Sequence, residues 1–370
     1  MSPELELRPK RLEIVVKISK HCNLRCRYCY ELHELSNRQR MSLDQIRRMF
    51  INILGHARSH AYSFIRFIWH GGEPFLIRPN YYRDIARIQQ EIFGGRMDVV
   101  NTVQTNLTVL TPDMLAFIEE EKFFEGIGVS FDPFGGDRVD KAGRSKDHVV
   151  IKNLQTLIDR KIPCGAITVL TCDTRKSAVD SFGVYDYLNI SHRFLPFYMS
   201  ADAAQAAAHS LTFDEMTSAY CDLVDAWLQS KNAPSVQPID EYFAFARRVL
   251  RRTPKYHFDP CTDEFVFIVD VNGDIWGVMG AYDPDLRYGN IFEERMEIAL
   301  QSENRRTQIK SIERRLRTHC SDCEYYGYCP GKYIATATKE ERRVLDENSC
   351  VVREVITHAL YRLNETQLAS

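Results

Sequence analysis

No run of eighteen consecutive apolar residues occurs in this chain, so it holds no candidate membrane-spanning helix. The amino-terminal stretch mixes Glu4, Glu6, Arg8, Lys10 and Arg11 with apolar residues. It therefore has neither the apolar core of a secretory signal nor a transit pattern. Charge of one sign is also lacking: 48 basic residues face 50 acidic ones, a formal net charge of −2. That balance gives no whole-molecule case for nucleic-acid binding. There is no internal repeat and no low-complexity tract, which excludes solenoids and biased linkers. Cysteine, by contrast, is plentiful, with 11 residues. Most fall in two dense groups, Cys22/Cys26/Cys29 and Cys320/Cys323/Cys329 with Cys350. In a chain without an export signal, clustered cysteines point to metal rather than disulfides. Cytoplasm is the expected compartment.

Residues 12–197 read as strands alternating with helices. Apolar strand candidates are 12–19, 64–70, 97–105, 126–132, 164–171 and 190–197. Helical patterns lie between them at 43–59, 80–92, 112–122, 147–160 and 176–188. Ser42 and Gln45 have capping-box spacing, and Thr111-Pro112 reads as an N-cap followed by proline at the first helical position. Such alternation implies a parallel sheet with right-handed crossovers. The fold class is α/β, a partial (β/α)6 barrel over 1–200. Active sites of barrels lie at the carboxyl ends of the strands. A helical linker is expected over 201–254, with a capping box at Thr212 and Glu215 and helices to Gln229 and over 239–252. From Pro254 onward hairpins and loops are expected. Arg247, Arg248, Arg251, Arg252 and Lys255 read as a solvated helix face, with docking of an acidic peptide as the alternative.

Directly after the first strand comes Cys22-x3-Cys26-x2-Cys29. Three thiolates on one loop hold three corners of a cubane iron–sulfur cluster, whereas a fully protein-ligated cluster takes four. The fourth iron is then open to an exchangeable ligand. A zinc loop is the plain alternative, but zinc usually unites two close cysteine pairs. With Tyr28 before the third cysteine, the loop resembles the signature of the radical S-adenosylmethionine (SAM) superfamily. The resemblance implies a [4Fe–4S] cluster that binds SAM and cleaves it reductively to a 5′-deoxyadenosyl radical.

Further motifs fit the same resemblance. His70-Gly71-Gly72-Glu73-Pro74 follows the second strand and is similar to the family's motif for the SAM ammonium group. Gln104-Thr105-Asn106 ends the third strand, with Asn106 as a polar contact. Val129-Ser130-Phe131-Asp132 ends the fourth. There the family implies Ser130 near the ribose and Asp132 facing substrate. Arg138 stands where the family often has an arginine for the SAM carboxylate, and a guanidinium fork matches that group. Arg144 competes for the role. Thr168-Val169-Leu170 and Leu195-Pro196 are similar to the positions flanking the adenine.

The carboxyl-terminal group, Cys320-x2-Cys323-x5-Cys329 and Cys350, resembles the second half of a SPASM extension, expected over 255–370. Cys261 matches that pattern's first cysteine and Gly273 its glycine, on an Asn272-Gly273 hairpin turn. Two cysteines of the family's seven are absent, and Val278 and Tyr333 stand in their places. In the family both belong to the inner auxiliary cluster. The remaining four make the outer set, so one auxiliary [4Fe–4S] cluster is expected. Four thiolates with one C-x2-C pair also suit structural zinc.

The resemblance implies a radical SAM oxidoreductase that abstracts hydrogen from an unactivated C–H bond. The expected substrate is a ribosomally made peptide, to be modified or cross-linked. Sulfatase maturation is one alternative, weakened because those relatives keep all seven cysteines. Dehydrogenation or epimerisation of a small molecule such as a sugar or aminoglycoside is another. An external electron donor such as flavodoxin or ferredoxin is implied. No fused amino-terminal peptide-recognition domain is expected, and neither nucleic acid nor membrane is expected as a partner.

Overall fold

The computed structural model describes residues 10–197, 203–253, 256–277, 283–337 and 350–368. Six parallel strands form its centre: β1 (Arg11–Lys17), β2 (Phe64–His70), β3 (Asp98–Thr105), β4 (Gly126–Ser130), β5 (Cys164–Leu170) and β6 (Ser191–Pro196). Most are short and rich in β-branched or aromatic residues, as suits strands, and β6 alternates exposed and buried residues. Helices α1 (Leu43–Ser59), α2 (Pro79–Phe93), α3 (Pro112–Ala116), α4 (Asp147–Asp159) and α5 (Ala178–Leu188) make the crossovers. The reciprocal cap of Ser42 and Gln45 starts α1, and the Thr111 hydroxyl accepts from Met114 N at 3.2 Å to start α3. The third helix is not uniform. It widens into a π-turn over Phe117–Glu121. This turn carries Phe117 into contact with Phe123 and Phe124, ring centroids 5.9 Å from each.

After the barrel come α6 (Ala203–His209), α7 (Phe213–Gln229), β7 (Val236–Gln237) and α8 (Ile239–Arg251). The Thr212–Glu215 capping box is formed. On α8, Arg247, Arg251 and Arg252 are exposed. Arg248 instead reaches Tyr328 O at 3.4 Å. Lys255 lies outside the described residues.

The chain beyond Pro254 departs from the expected hairpins and loops. It holds β8 (Val266–Val269), β9 (Asp274–Gly277) and β10 (Gly289–Asn290), but also α9 (Met296–Ala299), α10 (Glu303–Cys320), α11 (Lys332–Ala335) and α12 (Val351–Leu368). Helix α10 is charged nearly all round and buries only Leu316 and Cys320, so it carries no apolar stripe to read. Its start is fixed by Ser302, whose hydroxyl accepts from Arg305 N at 3.4 Å. Helix α12 does bury a stripe, Val351, Val352, Val355, Ile356 and Ala359.

All strands join one sheet, in the order β10-β9-β8-β1-β2-β3-β4-β5-β6-β7. The late strand β8 pairs parallel to β1, with Glu13 opposite Val266 and Val16 opposite Val269. Gly273 takes φ +92 in the β8–β9 turn, and its N–H donates to Asp270 O at 2.8 Å. The main core lies between this sheet and α1 to α4, around Phe50, Phe67, Trp69 and Tyr82. Each such side chain contributes roughly 1.5–3 kcal/mol by burial. A second core joins β6, α5, α7, α8 and α12, and Cys323, Cys329 and Cys350 pack at its rim. Packing thus brings the amino-terminal and carboxyl-terminal cysteine groups to opposite sides of β6.

Candidate active site

The loop after β1 is held by its backbone. Cys22 N donates to Leu35 O at 3.1 Å, and Cys29 N to Cys26 O at 3.0 Å. From the β4 side, Arg25 N reaches Val139 O at 2.7 Å and Arg27 N reaches Asp137 O at 3.1 Å. The three cysteines pack with Leu24, Tyr28, Leu35 and Phe197. They line one cavity of about 340 Å³ at the carboxyl ends of the strands. Tyr28, Gly72, Asn106, Ser130, Arg138 and Leu195 line it too. Asn106 Nδ2 lies 3.7 Å from Cys22 Sγ, and Arg138 Nη1 lies 4.0 Å from Cys26 Sγ.

Gly71 and Glu73 do not line this cavity. The paired glycines serve a close approach of backbone to backbone. A Cβ at Gly72, where φ is +47, would stand 2.1 Å from His21 O, and one at Gly71 would stand 2.6 Å from Ser19 O. Glu73 is fully buried behind the wall. Its carboxylate accepts from Thr105 Oγ1 at 2.6 Å, Asn106 N at 2.7 Å and Phe75 N at 2.8 Å. It ties the ends of β2 and β3 together. Burial nevertheless pushes its pKa up to about 7 against those three donors.

Asp132 likewise does not face substrate space, contrary to the expectation for it. It is buried, and its carboxylate accepts from the Tyr28 hydroxyl, from Arg138 Nε at 2.8 Å and from Val169 N at 2.8 Å. Arg144 is exposed and paired with Asp140 at 2.9 Å, away from the cavity. Of the two competing arginines only Arg138 is at the site. Gln104 Nε2 donates to Ser130 Oγ at 2.7 Å, which orients the serine.

Sequence reasoning missed one side of the cavity. Glu31 lines it, next to Tyr30 and His70, and Ile268 of β8 closes it. Lys17, 2% exposed at the end of β1, donates to Tyr30 Oη at 2.6 Å and to Glu31 Oε2 at 3.0 Å. Burial would lower the Lys17 pKa, but Glu31 and Tyr30 outweigh it and the ammonium is retained. A lysine inside an apolar strand signals a buried partner, yet Ile268 could be found only from the β1–β8 pairing.

The second cysteine group also converges. Cys320 ends α10, Cys323 and Cys329 lie on the following turns, and Cys350 precedes α12. All four line a cavity of about 240 Å³ with Tyr325, Tyr326 and Tyr333. Gly331, at φ +80, lets the chain pass; a Cβ there would meet Leu316 Cδ2 at 2.7 Å and Cys320 Sγ at 3.3 Å. Tyr333 donates to Met216 Sδ at 3.8 Å. Cys261 is exposed and lines neither cavity, and Val278 lies outside the described residues. A third cavity, also about 240 Å³, shares Leu195 and Pro196 with the first and Cys329, Tyr333 and Val352 with the second.

Both sulfur sets suit iron. Burial, and then Glu73, push Cys22 up to about 12, while burial and then Cys26 push Cys29 up to about 12. Burial, and then the neighbouring cysteines, do the same to Cys320. Such thiols stay protonated unless a soft cation displaces the proton. Three sulfurs fit a cluster with one open iron, and four fit a closed one.

Comparison with known proteins agrees with this geometry. Residues 16–182 match the family described as the Radical SAM superfamily. A serine-type anaerobic sulfatase-maturating enzyme of Bacteroides thetaiotaomicron is 21% identical over 347 residues, covering 87% of this chain and 82% of that protein. A cysteine-type counterpart from Clostridium novyi is 23% identical over 335 residues, covering 86% and 87%. The structure of anSMEcpe with bound AdoMet and Cp18Cys peptide superposes with a TM-score of 0.74 at 18% identity, covering 96% of this chain and 98% of that one. Streptococcus suis SuiB bound to S-adenosylmethionine gives a TM-score of 0.58 at 16% identity, covering 87% and 73%.

Proposed function

The chain is a radical SAM enzyme, and we propose that it acts on a ribosomally made peptide, joining an aromatic ring to a neighbouring side-chain carbon. Its cofactors are S-adenosylmethionine and a [4Fe–4S] cluster, and we infer one auxiliary cluster in addition. We assign Cys22, Cys26 and Cys29 to the SAM cluster and Cys320, Cys323, Cys329 and Cys350 to the auxiliary one. When bound, the first cluster and SAM together supply one electron and a 5′-deoxyadenosyl radical that removes hydrogen from a C–H bond.

The protein's own part is binding, aiming and exclusion. Arg138, locked by Asp132, offers its remaining N–H groups to the SAM carboxylate. Asn106 and Ser130 supply polar contacts at the strand ends. Gly72 holds the turn against the cluster loop. Val169 and Leu195 flank the adenine. With Ile167, Phe197 and Ile268 they make the walls apolar and keep out water that would quench a radical. Glu31 and Lys17 fix opposite charges at the far wall without presenting a bare charge. The auxiliary set is closed, so its role is electron relay or support of a thin core. A reducing compartment is required, and we assign the cytoplasm.

The observation that carries the peptide reading is the third cavity. It shares Leu195 and Pro196 with the SAM pocket and is walled by Phe194, Tyr220, Tyr242 and Phe245. An extended chain with aromatic side chains fits such a passage better than a single sugar does. One neighbour, SuiB, was solved bound to precursor peptide SuiA. Sulfatase maturation is the second reading, favoured by the names of the curated relatives and opposed by the two absent SPASM cysteines.

The test is anaerobic incubation with reductant, SAM and precursor peptides rich in aromatic residues. Cross-linking releases 5′-deoxyadenosine and lowers peptide mass by two hydrogens, with no fragmentation between the joined residues. A product that reacts with a hydrazine probe is an aldehyde and makes sulfatase maturation the answer. Unchanged mass with exchange of one backbone hydrogen makes it an epimerase.

A further inference from the structure

On the outer side of the cluster loop lies a shallow concavity of about 530 Å³, bordered by Ser19, His21, Arg38, Arg40, Leu76 and Ile77. Glu73 also reaches it, but its carboxylate already holds three donors. Arg38 and Arg40 of this lining are exposed, and so is Arg78, which follows the lining residue Ile77 in the chain. Among the described residues none of the three has a carboxylate partner. On the neighbouring helices the pattern is different: Arg47 pairs with Glu91 at 2.6 Å, Arg83 with Glu121 at 2.6 Å and Arg87 with Asp84 at 2.5 Å. Arg40 stacks over the Tyr81 ring at 4.4 Å, which holds it in place without neutralising it. The nearby Glu34 lies 3.4 Å from Lys20, which also pairs with Asp270 at 3.0 Å. Leu76, which is 37% exposed, adds apolar area to the lining. His21 Nδ1 is buried beside it with no hydrogen-bond partner.

An apolar centre inside an uncompensated cationic rim is the anatomy of a docking surface. Its position identifies the partner. The exposed segment 36–40 lies directly against the backbone that carries Cys22. Lys20 N donates to Gln39 O at 3.3 Å, Met41 N to Ile18 O at 3.0 Å and Cys22 N to Leu35 O at 3.1 Å. The Arg25 guanidinium joins Cys22 O and Ser36 Oγ, both at 2.9 Å. A protein seated here is separated from the first cysteine by a few bonds, and from the substrate cavity by the whole thickness of the loop. We propose that this concavity docks an acidic, low-potential one-electron carrier protein of the flavodoxin type, with Arg38, Arg40 and Arg78 as its cationic rim. The reduced flavin of the carrier loses one electron and the cluster assigned to Cys22, Cys26 and Cys29 gains it. No bond forms or breaks.

The whole chain is nearly neutral, so steering of such a partner comes from local patches, of which this one borders the cluster loop. Redox encounters are small, below about 1,200 Å² in total, and depend on charge more than on area. The proposal is independent of the peptide assignment, because reduction and SAM cleavage can be followed without peptide.

The test compares the reconstituted enzyme with the double variant Arg38→Glu/Arg78→Glu. Binding of an acidic flavodoxin is measured by calorimetry, and oxidation of its hydroquinone by stopped-flow absorbance. The variant should bind roughly tenfold more weakly at low salt, and its electron transfer should slow in parallel. The difference should shrink as salt shortens the Debye length below about 8 Å. SAM cleavage driven by dithionite, which needs no docking, should be unchanged. Equal flavodoxin binding by both proteins, no binding by the unmodified one, or an equal loss in the dithionite reaction would each overturn the proposal.

Discussion

Arg138 Nε donates to Asp132 Oδ2 at 2.8 Å, and both side chains are buried between the cluster loop and the ends of β4 and β5. Asp132 also holds Val169 N and the Tyr28 hydroxyl, so one carboxylate fixes the arginine, the loop tyrosine and a strand end. The Arg138 guanidinium stands 5.5 Å over the Tyr28 ring. Burial opposes its charge, but Asp132 and then Tyr28 hold it protonated.

Breaking this pair should be costly. Asp132→Asn leaves a buried guanidinium without its counter-charge, and stability should fall by about 3–5 kcal/mol. Urea unfolding under anaerobic conditions measures it. Arg138→Ala should weaken SAM binding roughly 10–100-fold, the worth of a charge-assisted hydrogen bond. Arg144→Ala should leave SAM affinity unchanged and stability within about 0.5 kcal/mol.

Metal content should follow the two cavities. Anaerobic preparations should carry about eight irons, two four-iron clusters. Cys350→Ser should lower this by about four, and Cys26→Ser should do the same while abolishing SAM cleavage. Cys261→Ser should change neither, since that thiol is exposed on a turn where Cys261 N donates to Asp259 Oδ1 at 2.8 Å. Four irons with one zinc would refute the auxiliary-cluster assignment.

Gly72→Ala should damage the loop that carries the first cysteines. Its Cβ would stand 2.1 Å from His21 O, and the left-handed backbone adds strain of about 1–3 kcal/mol. Loss of iron from the amino-terminal site, with the carboxyl-terminal iron retained, is the expected signature. A variant with full iron and normal SAM cleavage would contradict the close-packing account.

Acidification should destabilise the fold through buried neutral histidines. Burial, then His60, holds His56 down at about 4, and burial holds His192 at about 4 despite the Ile190 carbonyl. Both ring nitrogens of His56 are buried without partners. The unfolded chain takes up these protons near pH 6.5 and the folded chain only near 4. Their stabilisation is therefore present above 6.5 and lost as pH falls through that window, at about 1.4 kcal/mol per pH unit per histidine. His56→Leu should reduce the slope by one proton in a pH series of urea midpoints.

Much of this could be read before any coordinates. The strand–helix alternation from Arg11 to Pro196 was legible because the parallel strands are short apolar runs and the helices between them carry apolar stripes, two of them opened by the caps Ser42 and Thr111. Helix α10 was not, because its surface position removes the apolar stripe on which such reading depends. Asp132 and Glu73 looked like ligand contacts, since a carboxylate after a strand reads the same whether it faces solvent or turns inward. Only the donors around them decide.

The sequence by itself determined the chemistry. Three cysteines on one loop and three closely spaced cysteines in a second group offer sulfur ligands whatever surrounds them, because spacing within a loop is a local property. Tertiary structure alone decided which wall each side chain serves. It chose Arg138 over Arg144, turned Asp132 and Glu73 away from the cavity, and brought Ile268 from a late hairpin to the edge of β1. The last of these depends on strand pairing between residues some two hundred and fifty positions apart, and the others on donors brought in from neighbouring strands, for which local pattern carries no signal.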